Sequence, residues 1–76
     1  MNKERRAALA EAAAKIAEAR ETVDQVRNDE QEALDNMPES QQQGEKGEKM
    51  QAAIDAMDSI VDALQNAEEE IETAKE

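Results

Sequence analysis

Asp55, Asp58 and Asp62 stand at i, i+3 and i+7, which brings three carboxylates close to one face of a helix. Glu68, Glu69, Glu70 and Glu72 lie about one and a half helical turns later. Carboxylates at this density could bind a hard cation or move a proton. Acid–base work needs burial to tune such groups, and the apolar periodicity of the chain leaves these seven outside its seams. The chain has no histidine and no cysteine. That removes the Glu-x-x-His element of carboxylate di-metal bundles, and it removes thiolate sites and thiol nucleophiles. No EF-hand loop, phosphate loop or glycine-rich turn is present. These residues therefore predict no catalysis, no metal and no cofactor. They predict a solvated acidic face that a partner could use.

The overall composition points the same way. Twenty acidic residues against nine basic ones give a formal charge of −11 over 76 residues. Such a chain is repelled by nucleic acid and by anionic membranes, so neither is an expected partner. No run approaches the roughly 18 apolar residues of a membrane span. Lys3, Arg5 and Arg6 imitate the start of a signal peptide, but Glu11 and Lys15 interrupt the Ala-rich stretch beyond them. The expected location is the cytoplasm. Fifteen residues are alanine, and apart from Met1 only thirteen larger apolar side chains remain, none of them aromatic. Low bulky-apolar content with high charge is the compositional mark of disorder. Only periodicity can overturn it.

Periodicity does. Lys3 to Asn36 contains no Gly or Pro and is rich in Ala, Glu, Arg and Lys, all strong helix formers. Glu11 to Lys15 spells EAAAK, a helical spacer unit with Glu four residues before Lys. Asn36 can close this helix in the left-handed conformation, and Pro38 comes at the usual distance past a C-cap. Gly44 can serve as the next N-cap, with Glu45 and Glu48 favouring the positive end of a second helix. The sequence thus predicts helices over about 3–36 and 45–74, joined by a connection over about 37–44. A short helical turn at 38–42 fits within that connection. A start of the second helix at Pro38 is the competing boundary, at a cost of about 1 kcal/mol each for Gly44 and Gly47 inside a helix.

The bulky residues recur in sevens. Leu9, Ile16, Val23 and Met37 share one heptad position, with Ala12, Ala19, Val26 and Ala33 three residues further on. Met50, Met57, Leu64 and Ile71 form the corresponding column of the second helix, with Ala53, Ile60, Ala67 and Ala74 as companions. Ile54 and Val61 widen that seam on one side, and Leu34 takes over the packing near the loop. Spacing of 3 and 4 sustained in this way predicts an all-α, antiparallel two-helix coiled-coil hairpin. Glu30 interrupts the first column, between Val23 and Met37. It reads either as a local opening or as a polar site or register device.

Folding about residues 40–41 sets Leu9 near Ile71, Ile16 near Leu64, and Val23 near Met57 and Ile60. Charge supports the antiparallel sense. The first helix carries Lys3, Arg5, Arg6, Lys15, Arg20 and Arg27, whereas Met50 to Ala74 carries seven acids and no base. Cations at the start of one helix and acids at the end of the other each offend a helix dipole by up to about 1 kcal/mol. An antiparallel hairpin brings those ends together, with Arg5 and Arg6 facing Glu72 and Glu76, and Arg20 approaching Asp58 or Asp62. Two helices still make a thin core, and a second copy completing a four-helix bundle is the expected remedy. A monomeric hairpin is the alternative.

The stretch Val26-Arg27-Asn28-Asp29-Glu30-Gln31-Glu32-Ala33-Leu34-Asp35-Asn36-Met37-Pro38-Glu39-Ser40, continued by Gly47-Glu48-Lys49-Met50, resembles small acidic proteins encoded by tailed phages and prophages. These read as a long helix, a segment of this kind, a polar linker and a second acidic helix. The resemblance is close over the middle third and compositional elsewhere. This chain departs from the pattern with Leu34 where Phe is frequent and Gly44 where a Ser cap is usual. A loop-and-cap signature explains the motif equally well, since Asn36 and Pro38 suffice for one. The resemblance implies a helical hairpin, a phage setting in the host cytoplasm, and an accessory role such as interference with a host nuclease or defence protein. Function is therefore expected to be non-enzymatic: self-association, plus acidic helical contacts with a protein partner, for example a basic host protein. The alternative is an acidic inhibitor that imitates DNA.

Overall fold

Propensity alone carries the first element. The Gly- and Pro-free stretch forms one helix, α1, Lys3–Asp35. Its start is tied by Asn2, a residue that the heptad spacing does not single out. The Asn2 side chain accepts a hydrogen bond from the Arg5 N–H at 2.8 Å, satisfying one of the orphan donors of the first turn. The computed structural model describes residues 1–76 and continues with a single helical turn, α2, Glu39–Gln42, and a second long helix, α3, Glu45–Lys75. No helix is long and apolar enough to cross a membrane. The long helices lie side by side as an antiparallel hairpin, a rod of 58 × 14 × 12 Å.

The connection is tighter than a polar loop. Asn36 does not turn left-handed: it has φ −84° and ψ −6°, and no residue in the chain has positive φ. The chain stays right-handed because it enters α2 directly. The Pro38 carbonyl accepts the N–H groups of Gln41 and Gln42, and the Gln42 side chain donates to the Met37 carbonyl at 2.9 Å. Gly44 stands at the N-cap of α3 with extended backbone. Gly47 is buried. A Cβ there would lie 2.1 Å from the Gln42 carbonyl oxygen. Gly47 is thus more than a weak point in the first turn of α3, because its missing side chain is what lets α2 fold back onto α3.

Between the long helices the contact is a single seam. Along α1 it runs through Leu9, Ala13, Ile16, Arg20, Val23, Arg27, Glu30 and Leu34, all withdrawn from solvent, in alternating steps of four and three. Along α3 it runs through Gly47, Met50, Ile54, Met57, Val61, Leu64, Glu68, Ile71 and Lys75. Ala12, Ala53 and Ala67 are half-buried beside it. The first expected column of each helix faces its partner. The second column differs from expectation. It lies four residues after the first, not three, so Val26 and Ile60 stay outside, at 51% and 44% exposure. The bulky residues explain the choice. The observed columns bring in Leu34, Ile54 and Val61, whereas the alternative columns offer only Val26 and Ile60 among alanines. Each large side chain fully buried contributes about 1.5–3 kcal/mol. The core is still thin, since Leu34 at 7% and Ile54 at 1% are its only buried apolar side chains.

Candidate interaction surfaces

Because the second column of α1 contains Arg20 and Arg27, two cations enter the helix–helix contact. The Arg20 Nε donates to the Glu68 carboxylate at 2.6 Å. The Arg27 Nε donates to Asp58 at 2.8 Å. Both arginine side chains are only partly exposed, at 35% and 27%, as suits a long stem in the seam with its charged head at the rim. The hydrogen bond to Glu68, reinforced by the charge of that carboxylate, raises the pKa of Arg20 above its ordinary value. At the open end the Arg6 Nε donates to the Lys75 carbonyl at 3.0 Å.

These bonds revise the expected pairings. Arg20 bypasses Asp58 and Asp62 for Glu68, and Arg27 takes Asp58. Arg6 binds backbone at the end of α3 in place of Glu72 or Glu76. Glu72 is held instead by Lys75 at 3.2 Å. Reflection about residues 40–41 describes Arg6 and Lys75, but for Arg20 and Arg27 the partner lies one to two turns further along α3. An arginine stem is long enough to select a carboxylate away from the level of its own Cα.

The acidic residues of α3 accordingly do not form one solvated face. Glu68 sits in the seam, contrary to the expectation that all seven lie outside it, because Arg20 accompanies it there. Asp58 is neutralised by Arg27 and Glu72 by Lys75. Glu70 projects from the opposite flank of the helix. Asp55, Asp62 and Glu69 remain as an aligned column at seven-residue spacing, about 10 Å apart along the axis. Asp55 accepts a hydrogen bond from Gln51 and is otherwise exposed. No group of three or more acidic side chains converges on a point that could hold a metal ion. The one concavity is an open polar depression lined by Asn66, Glu69, Glu70 and Thr73, with no apolar wall.

The ion pairs also settle which flanks share a side of the hairpin. Arg20 and Arg27 belong to the second column of α1, Glu68 belongs to the second column of α3, and Asp58 flanks that column. Both bonds cross on one side, so the second columns and the acidic flank Asp55, Asp58, Asp62, Glu69 and Glu72 form one edge of the rod. The other edge carries the flanks of the first columns: Ala12, Ala19, Val26 and Ala33 from α1, and Ala53, Ile60, Ala67 and Ala74 from α3. One edge is acidic and the other is apolar. The residues expected to fill the seam as companions thus lie together after all, along its outer side.

These features define an all-helical antiparallel hairpin with two chemically distinct edges. Compared with protein-family models, with curated proteins and with solved structures, the chain matches none.

Proposed function

We propose that this hairpin is a non-enzymatic accessory interaction protein that self-associates and offers its acidic edge to a protein partner with a basic surface. The observation that carries this reading is the aligned column Asp55, Asp62 and Glu69, which no cation of the chain neutralises. A regular row of carboxylates on a rigid helix suits a complementary row of Lys or Arg, whose attraction steers encounter and fixes register. Self-association answers the other weakness of the chain, a seam that buries only two apolar side chains. The phage setting, with action in the host cytoplasm, draws on the resemblance of Val26–Ser40.

The rival reading, an inhibitor that imitates DNA, would use the same edge but needs denser charge. A net charge of −11 along 58 Å is about one per 5 Å, against about one per 1.7 Å for duplex DNA. Internal pairing by Arg20 and Arg27 thins it further on that edge.

The test is capture from host extract at low and moderate salt, using the native chain and a variant combining Asp55→Asn, Asp62→Asn and Glu69→Gln. The expected result is a basic protein retained at low salt by the native chain, released at moderate salt, and not retained by the variant. Capture unaffected by the three neutralisations would remove the acidic edge as the binding surface. Competitive release by duplex DNA would favour the imitation reading.

A further inference from the structure

Apart from the terminal Met1, Val26 and Ile60 are the large apolar side chains that the hairpin leaves exposed. They lie on one edge at similar levels. The Arg6–Lys75 and Arg27–Asp58 bonds bracket the register, and stepping back along α1 moves forward along α3, so Val26 stands between the levels of residues 55 and 59, close to that of Ile60. Both lie on the edge opposite the ion pairs. Exposed Ala19 and Ala33 flank Val26, and exposed Ala56 and Ala63 flank Ile60, so nothing bulky or charged shields the pair at these positions.

We propose that this edge is the surface through which a second copy of the chain binds, with Val26 and Ile60 at its centre. The inference rests on the self-association reading and assigns it a face. Area is the first argument. The single hairpin exposes 5550 Å², whereas a compact monomer of 8.4 kDa exposes about 4600 Å². The excess, about 900 Å², is the surface of an extended rod, comparable to the 800 Å² or so that each partner contributes to a standard interface, and it favours a second copy without choosing the edge. Charge is the second argument. Each copy carries −11, so contact through the acidic edges would stack like charges. On the apolar edge Arg5 and Lys46 share the heptad positions of Val26 and Ile60, Asp29 and Glu70 rim it, and Lys15 and Lys49 are held by Glu11 and Glu45, so this edge carries no net negative charge. Alanines on both helices allow the close backbone approach that lets the Val26–Ile60 pairs of two copies interlock. The acidic edges of both copies then face outward, so the dimer presents two partner surfaces rather than one.

The test begins with the mass of the native chain by light scattering at high micromolar concentration, monitored by refractive index because the chain has no aromatic residue. The expected mass is twice the 8.4 kDa of one chain. The variant V26K/I60K is expected to fall to one chain's mass, while Asp62→Lys on the other edge keeps the dimer. Cysteine placement covers the case in which V26K/I60K loses its helices. The chain has no native cysteine, and Val26→Cys or Ile60→Cys is expected to give a disulfide-linked dimer on mild oxidation where Asp62→Cys does not. A native chain of single mass overturns self-association itself. A native dimer that survives V26K/I60K, or that cross-links through Asp62→Cys in preference, leaves self-association standing and overturns this face.

Discussion

The Arg20 guanidinium binds the Glu68 carboxylate across 48 residues of sequence, at 2.6 Å and inside the helix–helix seam. Most surface ion pairs contribute little because water competes for both partners. This one differs in position, since both residues occupy heptad positions where apolar side chains are usual. A polar pair at such positions specifies register at some cost in stability. Sliding α1 by one heptad keeps only one of the two crossing pairs: either Arg27 replaces Arg20 at Glu68 and Leu34 faces Asp58, or Arg20 replaces Arg27 at Asp58 and Ala13 faces Glu68.

Exchange of that pair tests its role. Glu68→Arg alone puts two cations in the seam and is expected to lower the melting temperature. Arg20→Glu alone does the same with two acids. The double exchange R20E/E68R is expected to recover most of the loss, as read by thermal unfolding monitored by circular dichroism. Additive losses in the double variant would mean that the two residues do not interact in solution.

Gly47 is expected to be intolerant of the smallest side chain. On an isolated helix Gly47→Ala would stabilise by up to about 1 kcal/mol. Here the new Cβ meets the backbone of Gln42 at 2.1 to 2.7 Å, and backbone cannot swing aside as a side chain can. Displacing α2 is expected to outweigh the helix gain and destabilise by about 1–3 kcal/mol, the usual range for overpacking. Hydrogen exchange at the Gln41 and Gln42 amides should rise with it.

The two isoleucines at 54 and 60 should separate cleanly. Ile54, 1% exposed, is the best-buried side chain, and Ile54→Ala is expected to cost about 2–5 kcal/mol. In a chain with so thin a core, that is enough to melt much of the hairpin. Ile60→Ala is expected to change the stability of a single hairpin by no more than about 0.5 kcal/mol. The comparison is made by chemical denaturation at protein concentrations low enough for one chain to dominate. A larger cost at Ile60 than at Ile54 would mean that the seam runs along the other flank.

Asn2 offers a local test at the open end. Removing its side-chain oxygen by Asn2→Ala is expected to cost the first turn about 1 kcal/mol. Faster amide exchange at Arg5, whose N–H is bonded to Asn2 at 2.8 Å, should report it. Exchange in α3 near Ile54 should not change.

Helicity and the hairpin were legible in the chain itself. Alanine, glutamate, arginine and lysine favour helix residue by residue, through local rotamer entropy and backbone geometry. The proline and glycines between Asn36 and Gly47 interrupt it for equally local reasons. The first seam columns, Leu9–Ile16–Val23 and Met50–Met57–Leu64–Ile71, came from heptad spacing. Gly47 is ambiguous in the sequence. A buried glycine and a helix-weakening one look alike until the segment that folds onto it is known.

Only the tertiary structure decided which flank completes the seam. At about 100° per residue, a column three positions on lies roughly 60° to one side of the first, and a column four positions on lies roughly 40° to the other. Both flanks of this chain carry small or bulky apolar residues, so neither α1 nor α3 alone distinguishes them. The choice emerges when two helices meet and Leu34, Ile54 and Val61 can be withdrawn from solvent, while Arg20 and Arg27 find Glu68 and Asp58. The carboxylates that first suggested chemistry are divided by the same event. Glu68 turns inward as a register pair, Asp58 is neutralised, and Asp55, Asp62 and Glu69 remain as an outward row. Composition and local propensity belong to single residues and are written in the chain, whereas the side a residue faces is a property of its partner.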